Sequence, residues 1–85
     1  MKKFTYTIQD PEGIHARPAG LLVKQAAAFP CKITIDLNGK SADASRIMSV
    51  MGLGAKQGMD IVISCDGEQE DEAAAALETF LKENL

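Results

Sequence analysis

The chain has only two cysteines and a single histidine among its 85 residues. Two cysteines are too few for a disulfide scaffold, and Cys31 and Cys65 have neither a C-x-x-C spacing nor histidine partners with which to hold zinc. No metal site is expected, and the two thiols are read as buried and reduced, since free cysteine behaves as a small hydrophobe. No apolar run approaches the roughly 20 residues of a membrane span. Residues 1–20 lack the apolar middle segment of a signal peptide despite Lys2 and Lys3. A cytoplasmic protein with no membrane insertion is expected. Excess positive charge is missing too: 9 Lys+Arg against 12 Asp+Glu leave a net −3, which argues against a general nucleic-acid binder.

What is present is ordinary for a globular protein, with 46% hydrophobic and 25% charged residues. Residues 1–85 are expected to form a single domain with one modest core that hides roughly 60% of the unfolded chain's surface.

Phe4, Tyr6 and Ile8 alternate with Thr5 and Thr7, the period of two of a half-buried strand. Asp10-Pro11-Glu12-Gly13 is loop chemistry, because proline presets φ and glycine allows positive φ. An alanine- and leucine-rich run then predicts a helix from about Arg17 to Phe29, with Pro18 at its first position and Pro30 ending it. Ala19, Leu22, Val23, Ala26 and Phe29 share its apolar face, whereas Leu21 and Lys24 do not. Cys31, Ile33, Ile35 and Leu37 alternate through a second strand. Asn38-Gly39 then predicts a two-residue type I′ hairpin that pairs Leu37 with Lys40, Ile35 with Ala42 and Ile33 with Ala44.

Ser45 is placed to cap a short second helix, Arg46 to Gly52. That helix is too short to bury Ile47, Met48, Val50 and Met51 together with the following Leu53, so some must be exposed. Ile61, Ile63 and Cys65 mark a fourth strand. A last helix begins among Glu68, Glu70, Asp71 and Glu72, where negative charge complements the dipole, and packs through Ala73, Ala76, Leu77, Phe80 and Leu81. The order β-α-β-β-α-β-α predicts an α+β fold, a two-layer open-faced β-sandwich with the first and last helices on one face of the sheet.

One stretch carries chemistry. No Ser, Thr, Asp or Asn at positions 15–17 caps the first helix, so its leading N–H groups are free, and those donors with the macrodipole favour an anion such as phosphate. Arg17 adds a guanidinium that can grip two phosphate oxygens at once. Histidine in water titrates near pH 6.5, so near neutrality much of it is uncharged and able to act as a nucleophile. His15-Ala16-Arg17-Pro18 therefore reads as a phosphoryl acceptor beside a phosphate cradle.

Gly13-Ile14-His15-Ala16-Arg17-Pro18-Ala19 resembles the active-site motif of HPr, the histidine-containing phosphocarrier family of the bacterial phosphoenolpyruvate:sugar phosphotransferase system. Asn38-Gly39-Lys40, the stretch Ile47 to Gly54 and the acidic, alanine-rich last helix extend the resemblance nearly end to end. It implies a four-stranded antiparallel sheet in the order 1-4-2-3. It also implies a cofactor-free, monomeric carrier, not an enzyme acting on a separate substrate. His15 would take a phosphoryl group from phosphorylated enzyme I and pass it to sugar-specific EIIA domains. Arg17 would stabilise the moving charge, and Ala16, Arg17 and Pro18 at the helix start would hold the phosphate. Leu21, Ile47, Met48 and Met51 would form an apolar docking patch, with Lys24, Arg46 and Lys56 steering acidic partners; transcriptional regulators are a further partner class.

One departure stands out. The regulatory serine that many relatives place before their Ile-Met-x-x-Met stretch is Arg46 here, with Ser45 one residue earlier, so no regulatory serine is expected. A regulatory HPr paralogue signalling through its phosphorylation state is the alternative reading. A small acylphosphatase-like hydrolase is disfavoured, since only His15 and the Glu12 loop offer polar groups near Arg17.

Overall fold

The computed structural model describes residues 1–85. Its elements are β1 (Lys2–Thr7), α1 (Ala16–Ala27), β2 (Lys32–Leu37), β3 (Lys40–Asp43), α2 (Ile47–Gly52), β4 (Asp60–Asp66) and α3 (Glu70–Asn84). The strands form one antiparallel sheet in the order β1-β4-β2-β3. The α+β open-faced sandwich is thus observed, including the strand order that periodicity alone does not provide.

The hairpin turns as its sequence demands. Asn38 and Gly39 both have positive φ, +48° and +87°, which suits a type I′ turn and the right-handed twist of the strands it joins. Leu37 pairs with Lys40 and Ile35 with Ala42, and the Ala44 N–H donates to Ile33 O at 3.0 Å. Ile33, Ile35, Ile61 and Ile63 bury one face of the sheet against the helices. α3 packs on β1 and β4, and α1 packs against both α2 and α3. The open face carries Thr5, Lys32, Thr34, Ser41 and Asp43. Ser64 is the exception there: β4 is central, and its position between Lys3 of β1 and Thr34 of β2 leaves it buried. No helix is long and apolar enough to cross a membrane.

Five expectations need correction. α1 begins at Ala16, so Pro18 is the third helical residue, not the first. Its absent N–H still costs nothing, because the first intrahelical bond runs from the Ala19 N–H to His15 O. α1 also ends at Ala27, short of Phe29. The Ala28 and Phe29 N–H groups bond three residues back, tightening the last turn, and the residue before Pro30 is disfavoured in the helical region. Val23 and Phe29 are half-buried.

Ser45 does not cap α2. The Asp43 carboxylate accepts both its N–H (2.9 Å) and its hydroxyl (2.6 Å), a local turn that outcompetes the capping geometry, and Arg46 occupies the cap position with no side-chain bond to the helix. In α3 the buried residues are Ala73, Ala74, Leu77, Phe80 and Leu81, with Ala76 only half-buried. At 100° per residue the buried set centres on Leu77, which takes in Ala74 and leaves Ala76 at the edge. Finally, Glu68 lies in the turn before α3, so three acids and not four occupy its first turn.

Candidate functional site

The residue before α1 is His15, in extended conformation (φ −103°, ψ −175°) and making no side-chain cap to the helix. The Ala16 and Arg17 N–H groups have no backbone or side-chain acceptor, so two donors at the positive end of the dipole are open to an anion. Arg17 forms no ion pair and is exposed. His15, Arg17 and Pro18 line a cavity of about 300 Å³ with Asp10, Leu21, Glu83 and Asn84. The structure therefore brings the three expected site elements together: a half-exposed imidazole, a free guanidinium and open amides.

It also shows how the preceding loop is arranged and adds two residues that the sequence did not mark. Asp10 and Glu12 flank the ring, with Asp10 Oδ2 4.0 Å from Nε2 and Glu12 Oε2 3.9 Å from Nδ1. Glu83 and Asn84, from the far end of the chain, complete the cavity. Polar groups around Arg17 are thus more numerous than His15 and the Glu12 loop, a correction to the sequence reading. Asp10 alone could have been flagged, as a carboxylate in a loop five residues before the histidine; nothing local signals Glu83 or Asn84.

The His15 loop is held from two sides. The Ile14 N–H donates to Ala55 O at 3.0 Å, and the Asp10 N–H donates to Leu85 O at 2.8 Å. The first contact sets Lys56 against Gly13, which places that lysine beside the loop.

The proposed docking residues divide by burial. Leu21 (42% exposed), Ile47 (39%) and Met48 (76%) are the large hydrophobic side chains left in water after α1 and α2 have packed together. Ile47 Cδ1 lies against Gly20, 3.6 Å from where a Cβ would stand, so α2 presents its apolar tip one turn along from Arg17. Met51 instead packs partly into the core, and Val50 is fully buried. Lys24, Arg46 and Lys56 are exposed.

Elsewhere, Asp43 is held below its ordinary carboxylate range, first by the Ser45 hydroxyl and then by the Ser45 N–H. Burial, together with the neighbouring Cys31, pushes the Cys65 thiol up to about 11, and both cysteines are free and buried.

A family model described as "PTS HPr component phosphorylation site" matches residues 2–83. The phosphocarrier protein HPr of Lysinibacillus sphaericus is 45% identical over 83 residues, covering 98% of this chain and 94% of that protein. Among solved structures, a Mycoplasma histidine-containing phosphocarrier protein superposes with a TM-score of 0.94 at 39% identity, covering 96% of this chain and 93% of that one. HPr from Thermoanaerobacter tengcongensis gives 0.92 at 38% identity, with 96% and 92% covered. Fold and sequence agree on a class of small phosphocarrier proteins. The chain belongs to the HPr family of the phosphotransferase system.

Proposed function

We propose that the chain carries a phosphoryl group on His15, accepting it from phosphorylated enzyme I and delivering it to sugar-specific EIIA domains. The observation that supports this most is the joining, at one helix start, of an accessible imidazole, two unpaired amides and an Arg17 without a carboxylate partner. A nucleophilic nitrogen of His15 attacks phosphorus, the donor nitrogen leaves with its bonding pair, and the transferred group's equatorial oxygens carry the developing charge. The Ala16 and Arg17 amides and the Arg17 guanidinium supply fixed positive ends for that charge at little reorganisation cost. Pro18 contributes by fixing φ in the first turn, at a position where its missing N–H breaks no intrahelical bond.

Docking needs a surface that serves more than one partner. Leu21, Ile47 and Met48 supply exposed apolar area with one adaptable thioether, Met51 backs them from the core edge, and Lys24, Arg46 and Lys56 set a positive rim. The protein acts as a single cytoplasmic domain. Arg46 offers no hydroxyl for phosphorylation, and the Ser45 hydroxyl is held by Asp43, so regulation through a serine here is weak or absent. Incubation with phosphoenolpyruvate and enzyme I tests the reading. An acid-labile phosphate is expected on the parent and none on His15→Ala; equal labelling of the two would reject it.

A further inference from the structure

β1 is an outer strand of the sheet, paired with β4 on one side and with no strand on the other. The ladder decides which backbone groups that free edge presents. Thr7 pairs with Asp60, and one step further the Ile8 N–H donates to Met59 O at 2.9 Å. Alternation along an antiparallel pair then turns the N–H and C=O groups of Tyr6, Phe4 and Lys2 toward β4, and those of Lys3, Thr5 and Thr7 outward. The outward N–H groups have no acceptor; on the surface, Gln9 Nε2 donates to Thr7 O at 3.2 Å. Such an edge is a template for a further strand, and lysines placed along it often guard against pairing.

We propose that this edge is a self-association surface, on which β1 pairs antiparallel with β1 of a second copy about a two-fold axis through Thr5. The inference is separate from phosphoryl transfer and departs from the monomer that the family resemblance implies. Outward groups must meet outward groups, so the allowed registers differ by steps of two residues. Centring the pair on Phe4 or on Tyr6 leaves one of the outward residues unmatched. Centring it on Thr5 uses them all: Thr5 faces Thr5 of the second copy, Lys3 faces its Thr7, and each pair exchanges both N–H···O bonds.

Charge agrees with that register. Lys3, Thr7 and Asp60 share the open face of the sheet, and the Thr7 hydroxyl donates to the Asp60 carboxylate. Lys3 of the second copy, standing opposite Thr7, brings its ammonium to that carboxylate, and the two-fold axis repeats the contact. No lysine is set against a lysine. On the helix side Phe4 and Tyr6 are both half-buried, and Phe4 of each copy falls opposite Tyr6 of the other, an aromatic cross-strand pair. A cavity of about 220 Å³ beside Phe4, walled by Ala74 and Ala75 of α3, leaves the incoming ring room. Glu78 on its rim has no ion partner and opposes association, which holds the dimer to a weak, concentration-dependent one. β1 and β3 are opposite edges of the sheet, so the α2 side, which lies against β3, stays free in such a dimer.

Sedimentation equilibrium of the full chain, from micromolar to millimolar concentration, is expected to show a reversible dimer. Lys3→Glu sets an acid against Asp60 and should raise the dissociation constant by roughly tenfold or more. Asp60→Lys should do the same, and the two changes together should restore the parent value. Thr5→Pro removes an outward N–H and leaves the β4 ladder whole, so it should abolish the dimer while the circular dichroism stays that of the parent. The charge-swapped pair decides the matter if Thr5→Pro does not fold. Isotope-filtered NMR on mixed labelled and unlabelled chains should join Phe4 of one copy to Tyr6 of the other. A chain that stays monomeric throughout, or a dimer that Lys3→Glu leaves unchanged, overturns the inference. Contacts between β1 of one copy and β4 of the other would mean strand exchange, and overturn it equally.

Discussion

Gly13 lies directly on the backbone of Ala55. A Cβ at Gly13 would stand 2.8 Å from the Lys56 Cα and closer still to the Ala55 carbonyl oxygen, the same oxygen that accepts the Ile14 N–H. Gly13 also has φ +67°, a region that side chains disfavour. The histidine loop thus seats on a segment 42 residues away in sequence, between α2 and β4, at a point where backbone meets backbone with no room for a side chain.

Gly13→Ala is therefore expected to cost about 1–3 kcal/mol, from overpacking against backbone and from the unfavourable φ together. A lower urea midpoint with an unchanged slope would show it. Phosphoryl acceptance should fall as well, because the same shift displaces His15. A variant as stable as the parent would mean that the loop and the Ala55 segment move apart freely.

Arg17→Ala is expected to slow phosphoryl transfer by roughly 10²- to 10³-fold, the usual loss when one preorganised donor to developing charge is removed. Its exposed side chain makes no ion pair, so stability should change by less than about 0.5 kcal/mol. Rapid-quench rates against thermal unfolding separate the two effects.

Met48→Asp tests the docking patch. With 76% of Met48 in water, folding should be almost unaffected, while enzyme I affinity should drop by about 1–2 kcal/mol, roughly 5- to 30-fold. Charge reversal at Arg46 should instead slow association, with an effect that fades as salt rises. Calorimetric titration and stopped-flow mixing read the two outcomes.

The Ser45–Asp43 turn predicts a particular acid response. Asp43 titrates below its ordinary value near 3.8 in the folded protein, so its contribution to stability is fully present above that value and is lost as pH falls through the depressed one. Ser45→Ala removes the largest cause of the depression. Urea unfolding between pH 2 and 5 should show a shallower loss of stability on acidification in the variant than in the parent.

Cys65 should stay a thiol at neutral pH, since its titration is pushed up to about 11 and its side chain has no exposed surface. Iodoacetamide is expected to leave both cysteines unmodified in the native protein and to label both in urea; mass spectrometry distinguishes the cases.

Local chemistry made much of this molecule legible in the chain. Period-two alternation marked Phe4–Ile8, Cys31–Leu37 and Ile61–Cys65. Asn38-Gly39 determined a hairpin and its register, because only a few backbone conformations join two strands in two residues. The uncapped helix start put His15 and Arg17 at an anion-binding end, since the first amides of any helix lack internal partners. Such signals report which side of its own element a residue occupies.

They do not report what that side meets. Tertiary packing decided that β4 is central, that Ser64 is buried, and that Met51 turns inward while Met48 stays in water. It gave the Ser45 hydroxyl to Asp43 in place of the helix. It also brought Glu83 and Asn84, at the end of α3, to the cavity that Asp10 and His15 line, because the meeting of that helix end with the β1–α1 loop depends on how a sheet twists beneath its helices and on contacts such as Gly13 on Ala55. The candidate histidine could be read from the chain; the side chains that α3 brings to its cavity become neighbours only in the folded protein.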